Sequence, residues 1–372
     1  MGESNGGLKV SSRYGQLSRV SIKGYKSIKD CALKLNNINV LIGSNGAGKS
    51  NFISAFTLLQ SVLKKELQLY TQQCGVNSLF YNGKSVTDQI YIEVFFDKNS
   101  YGFYLMPTDD NRIIFKKEFY GYEDYESLVD RAHDESKWEK GVSNNINSYV
   151  KPILRQNLWR VYHFHDTSRT ARVKQEHNID NSSSLLFDAS NLAAFLYRLK
   201  NNYEPNYLEI VETIKLIAPY FDDFRLQPKE SNKELILLQW HQRGCDDIFN
   251  ASQLSDGTLR FICLATLLLQ PSELQPATII IDEPELGLHP YAITMFADMV
   301  KQASSKKQII ISTQSVELLN EFNVEDIVVV NKDGDGASTF NRLNMDDLKI
   351  WLEDYTLGDL WQKNILGGRL SI

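Results

Sequence analysis

Residues 39–50 read NVLIGSNGAGKS, an apolar run that breaks into a glycine-rich loop and ends on a Lys-Ser pair. This is the pattern GxxxxGK[ST] placed between a strand and a helix, and it decides the fold. Gly43, Gly46 and Gly48 let the backbone curl so that several N–H groups face one anion, and the helix start adds its partial positive charge. The stretch Gly43, Ser44, Asn45, Gly46, Ala47, Gly48, Lys49, Ser50 and Asn51 is therefore the expected cradle for ATP. Lys49 would reach the β- and γ-phosphates, and the Ser50 hydroxyl would ligate Mg²⁺. The periodicity predicts a strand over 36–42 and a helix over 48–70, with Phe52, Phe56, Leu59 and Val62 on one face.

Two further stretches complete such a site. TIIIDEPELGLHP (278–290) is an apolar strand that ends in carboxylates, which places acid at the carboxyl edge of a parallel sheet. Asp282 is the expected Mg²⁺ residue, and Glu283 the base that orients and deprotonates the attacking water. Glu285 is either a helper at the site or an interface residue. QIIISTQS (308–315) is a third buried strand, from which Gln314 would reach the γ-phosphate or the water. Ser312 or Thr313 could cap the following helix at the same time. The candidate catalytic set is thus Glu283, Gln314 and Lys49, with Ser50 and Asp282 for the metal. A fourth stretch, ASQLSDGTLR (251–260), again has the composition of a phosphate-holding helix start, although the chain already owns a phosphate loop.

GSNGAGKS, LSDGTLR, IIIDEPELGLHP and ISTQS together resemble the ATP-binding-cassette (ABC) ATPases of the RecF, SMC and OLD-nuclease type. YHFHDTS (162–168), DASNLAAFLYRL (188–199) and YTLGDLWQKNILGGRL (355–370) are similar to a bacterial AAA-labelled ATPase group within them. The resemblance implies an α/β P-loop head, with a mixed, mainly parallel sheet and an antiparallel β-subdomain. It also implies that Leu254, Ser255, Asp256 and Gly257 seat the γ-phosphate of ATP bound by a second copy, in a head-to-tail homodimer. Asp256 departs from the usual LSGG glycine. Gln314 stands where transporters have histidine and cannot carry a proton, which leaves Glu283 as the base. The resemblance further implies slow hydrolysis, a role in phage defence with a nuclease or other effector partner, or a RecF-like DNA-repair role with DNA as ligand. A transporter motor fits least, since LSGGQ and the switch histidine are both missing.

The remaining sequence bounds these readings. Net charge is −6 in 372 residues, so the chain as a whole is no polyanion-binding surface. The widely spaced Cys31, Cys74, Cys245 and Cys263 suit reduced thiols. No run of eighteen apolar residues exists, and a cytoplasmic protein without membrane partners is expected. Segments 89–97, 101–107 and 111–120 read as antiparallel strands, and 124–157 as polar helix. Asp188 and Ser190 are candidate caps for a helix over 190–200, and ELILLQWHQ (234–242) reads as one strand. No heptads persist between 120 and 240, which predicts a compact helical insertion and no long coiled coil. The expected division is a flexible tail (1–18), head lobe I (19–123), insertion (124–233), head lobe II (234–345) and a C-terminal helical tail (346–372). The basic stretch 151–174, interleaved with aromatics, fits either a nucleic-acid surface or a core strand with solvated flanks.

Overall fold

The computed structural model describes residues 15–123, 125–140, 145–155 and 159–367. A six-stranded sheet runs through its centre in the order Ser338–Arg342, Ile327–Lys332, Ile38–Ile42, Gln308–Thr313, Thr278–Asp282, Trp159–Tyr162. All neighbours are parallel except the first pair. TIIID and QIIIST are buried at every position, as strands covered on both faces must be. Alternate residues feed two cores. Leu41, Ile280 and Ile310 face the helix Lys49–Lys64, while Val40, Ile279, Ile281, Ile309 and Ile311 face the opposite layer. That layer contains the helices Leu192–Asn202, Glu204–Ile217, Asp256–Leu269 and Pro290–Ser304.

A second, antiparallel sheet covers the first core, in the order Ile28–Lys34, Arg19–Tyr25, Ile90–Phe96, Asn99–Pro107, Ile113–Tyr122, Tyr125–Asp130. Its last strand corrects the helix expected from 124. Glu123 adopts φ 50° and Tyr125 pairs with Tyr122, and among the described residues of this stretch only Asn145–Arg155 is helical. The helix expected over 48–70 is also two. Lys65 adopts φ 63°, and the Glu135 carboxylate accepts from the Leu67 and Gln68 N–H groups to start the helix Leu67–Cys74.

The tail does not extend to residue 18. Leu17 is 1% exposed and donates to Gln308 Oε1, while Ser18 N–H donates to Phe95 O. Residues 1–14 of that expected tail, and 368–370 of the C-terminal motif, lie outside the described residues. ELILLQWHQ divides into Asn232–Ile236 and Gln239–Gln242, which join two separate three-stranded sheets, so the 124–233 region is not purely helical. The helix Leu192–Asn202 starts from Asn191 rather than Asp188 or Ser190. The Asn191 side chain is spent on Leu186 N, Asn181 O and Ser184 O, knitting the preceding loop. The longest helix among the described residues has 16 residues, and none is long and apolar enough to cross a membrane.

Candidate active site

Three motifs meet because their strands are neighbours. Gln308–Thr313 lies between Ile38–Ile42 and Thr278–Asp282, with Thr313 beside Ile42 and Ser312 beside Asp282. The glycine loop leaves the sheet at this edge. Gly46 (φ 79°) and Gly48 (φ 119°) hold the left-handed turn that side chains disfavour. Gly43 is needed for space instead, since a Cβ there would lie 2.4 Å from the Val330 carbonyl oxygen. Gly48 caps the 16-residue helix with no side-chain hydrogen bond, which suits a helix start whose N–H groups are meant for a phosphate. Lys49 is 4% exposed, and its Nζ donates to Gly43 O (2.6 Å) and Ser44 O (3.2 Å). Burial pushes its pKa down, opposed by the carboxylates of Glu283, Asp282 and Glu285. Asn45 and Ser50 are exposed.

A serine brace holds the loop from outside and has no signature in the sequence. Ser338 Oγ donates to Ala47 O (2.6 Å) and bonds Ser27 Oγ (2.7 Å), which also accepts from the Asn51 amide (2.7 Å). Asn51 is thereby turned to the brace. A Cβ on Gly48 would lie 2.0 Å from Ser338 Oγ, which excludes any larger residue there.

The acidic residues are each held by polar groups of the strand end 312–314. Asp282 is 8% exposed; Oδ1 accepts from the Ser312 hydroxyl, and Oδ2 lies 3.7 Å from His163 Nδ1. Burial lowers the His163 pKa against the pull of Asp282. Glu283 sits at φ 44°, unusual for a residue with a side chain, and its Oε1 accepts from Gln314 Nε2 at 2.6 Å. Glu285 Oε1 accepts from Thr313 Oγ1 (2.6 Å) and Gln314 N–H (3.0 Å), so Glu285 braces the strand end that carries Gln314. Its other oxygen is buried and has no partner among the described residues, and burial raises the pKa of this carboxyl. Neither Ser312 nor Thr313 caps the helix Val316–Leu319; Ser315 does.

The LSDG stretch stands apart from the loop. Ser255 caps the helix Asp256–Leu269 by accepting from Thr258 N–H (3.1 Å). Among the described residues, no hydrogen bond or ion pair joins 254–257 to 43–51. Asp256 lies 3.7 Å from Lys174 Nζ, whose side chain is 6% exposed. Much of the basic stretch is likewise spent internally. Arg160 donates to Leu185 O and Arg172 to Asp188, while Trp159, Tyr162 and Phe164 are core residues.

Residues 38–320 match the family model described as "AAA domain, putative AbiEii toxin, Type IV TA system". The Old nuclease of Escherichia phage P2 is 24% identical over 370 residues, an alignment covering 87% of this chain. The chain spans about 60% of that relative's length. Among solved structures, an Smc head bound to the C-winged helix domain of ScpA superposes with TM-score 0.60 at 17% identity, covering 90% of this chain and 99% of that one. An Smc head with an extended coiled coil, bound to the C-terminal domain of ScpA derived from Pyrococcus furiosus, gives 0.58 at 16%, with 91% and 98% covered. Motifs, strand order and family match agree: the chain belongs to this AAA family and is a P-loop ATPase of the SMC, OLD and RecF-like ABC type.

Proposed function

We propose that the chain binds Mg²⁺-ATP on the Gly43–Asn51 loop, pairs head-to-tail with a second copy, and hydrolyses ATP slowly to drive an effector- or DNA-directed step in phage defence. The observation that carries this is spatial. Lys49, Asp282, Glu283 and Gln314 converge on one sheet edge, while among the described residues no hydrogen bond or ion pair joins Ser255–Gly257 to that loop. The phosphates would replace the Gly43 and Ser44 carbonyls as partners of Lys49. Ser50 and Asp282 would hold Mg²⁺, which neutralises charge on the β- and γ-phosphates when bound. Glu283 takes the proton of the attacking water, and Gln314 fixes that carboxylate through its amide. Ser255, the Gly257 N–H and the start of a 14-residue helix form the seat for the partner's γ-phosphate.

ATP that binds only the closed dimer would favour closure by about 4 kcal/mol per site at a thousand times its dissociation constant. Hydrolysis removes the γ-phosphate bridge and with it that term. The defence context is supported by the family's description and by the phage P2 relative; a nuclease or another effector protein, and DNA, are the partners this reading calls for. Glu283→Gln keeps the loop and metal residues but removes the base, so it should accumulate as an ATP-bound dimer by light scattering with Mg²⁺. A variant that binds ATP yet stays monomeric sinks the head-to-tail reading.

A further inference from the structure

One buried guanidinium joins the signature helix to the catalytic edge of the same chain. Arg260 lies one turn into Asp256–Leu269 and is 7% exposed. Its Nε donates to Phe164 O (2.9 Å), one terminal nitrogen to His165 O (3.1 Å) and the other to Leu286 O. Both segments that it grips end at the site. His165 donates from Nε2–H to the Asp282 carbonyl (2.8 Å), the peptide that leads into Glu283 at φ 44°. Leu286 follows Glu283 in the same turn, whose next residue, Gly287, touches the helix start. A Cβ on Gly257 would lie 2.4 Å from the Gly287 oxygen.

We infer that Arg260 and His165 form a relay that aims Glu283 of a chain's own site in response to occupancy of that chain's signature. A γ-phosphate seated on Ser255–Gly257 fixes the helix start. Arg260 passes that constraint to 164–165 and to Leu286, and His165 holds the Asp282–Glu283 peptide. The regulation rests on the composite-site reading above, and both residues are positioning residues. Neither is required to touch nucleotide. The planar fork of Arg260 is essential to gripping three carbonyls from two segments, which a lysine cannot reproduce.

The test uses the full chain with Mg²⁺ and a non-hydrolysable ATP analogue, in parallel with ATP turnover. Light scattering reports dimerisation, and amide exchange over 282–288 reports the turn in dilute, nucleotide-bound monomer and in dimer. In the wild type, exchange in this turn should slow on dimerisation. Arg260→Lys and His165→Phe should still dimerise but lose that slowing, and lose about ten- to a hundredfold in kcat at unchanged KM. His165→Gln, whose amide can still donate to the carbonyl, should restore both. The double variant should be no slower than the slower single variant, because the two act in one chain of contacts. Variants that dimerise with the slowing intact, or whose losses multiply, overturn the relay. If the wild type never dimerises, the composite-site reading fails and the relay falls with it; if only the variants behave as wild type, the relay alone fails. Should Arg260→Lys not fold by thermal unfolding, His165→Phe decides.

Discussion

Gly257→Ala sets two effects of opposite sign against each other. The position lies in the first turn of a 14-residue helix with no positive φ, so alanine should favour the helix by about 1 kcal/mol over glycine. The new Cβ, however, would lie 2.4 Å from the Gly287 carbonyl oxygen, with backbone on both sides of the clash. Reaching ordinary contact needs a retreat of about 1 Å. Gly287 is itself constrained, with φ 71° and its own Cβ position 2.8 Å from an Arg260 nitrogen. Overpacking against backbone costs about 1–3 kcal/mol, so the clash should win by about 1 kcal/mol. The expected result is a melting temperature about 1 °C below wild type in nucleotide-free protein. Omitting nucleotide separates this contact from any loss of phosphate binding by the same glycine. A melting temperature equal to or above wild type refutes the reasoning, because the loop would then yield freely and could not transmit force from the helix.

Three other perturbations have defined outcomes. Ser338→Ala leaves the Ala47 carbonyl without its hydroxyl donor, at a cost of about 1–3 kcal/mol borne by the loop, so a fluorescent ATP analogue should bind about tenfold or more weakly; an unchanged Kd would mean the brace is idle. Burial raises the Glu285 pKa above its ordinary 4.5, so the folded chain holds a proton that the unfolded chain releases, and stability declines as pH rises through the raised value. Glu285→Gln cannot titrate, so its melting temperature should gain on wild type between pH 4.5 and 8, whereas a constant difference would contradict the buried-carboxyl account. Lys49→Ala and Ser255→Arg chains, each inactive alone, should regain about a quarter of wild-type hydrolysis on mixing if sites are independent and composite; verified heterodimers without recovery would argue against that.

What could be foreseen divides along a physical line. Features set by neighbours in the chain were legible. GSNGAGKS needs only adjacent residues to make its turn, TIIID and QIIIS announce two buried faces, and the helix Pro290–Ser304 starts on a proline at its first position. Features set by distant partners were not. Ser27 and Ser338, 311 residues apart, brace the loop with hydroxyls that look like any surface serine. The new helix start at Leu67, just past the break at Lys65, depends on a carboxylate 68 residues away, at Glu135. YESLVD (125–130) reads as polar helix because an edge strand with one paired side needs backbone partners more than apolar side chains.

The basic stretch and Asp256 show the same division in electrostatics. Composition records that Lys151–Lys174 is rich in cations but not where they are spent, and Asp256 in place of glycine suggests a repelled phosphate. Fold contacts change both readings. The insertion delivers Lys174 to within 3.7 Å of Asp256, and the same ammonium donates to Thr167 O at 2.6 Å. Asp256 is 67% exposed, so solvent screens the pair and its direct contribution to stability is small. Its consequence is for the proposed seat instead. A carboxylate in the first turn suits the helix dipole, and a nearly buried ammonium offsets its charge toward an arriving anion. On the head-to-tail reading proposed above, Lys174 would belong to the signature seat, and the departure from glycine would be balanced by a residue more than eighty positions upstream.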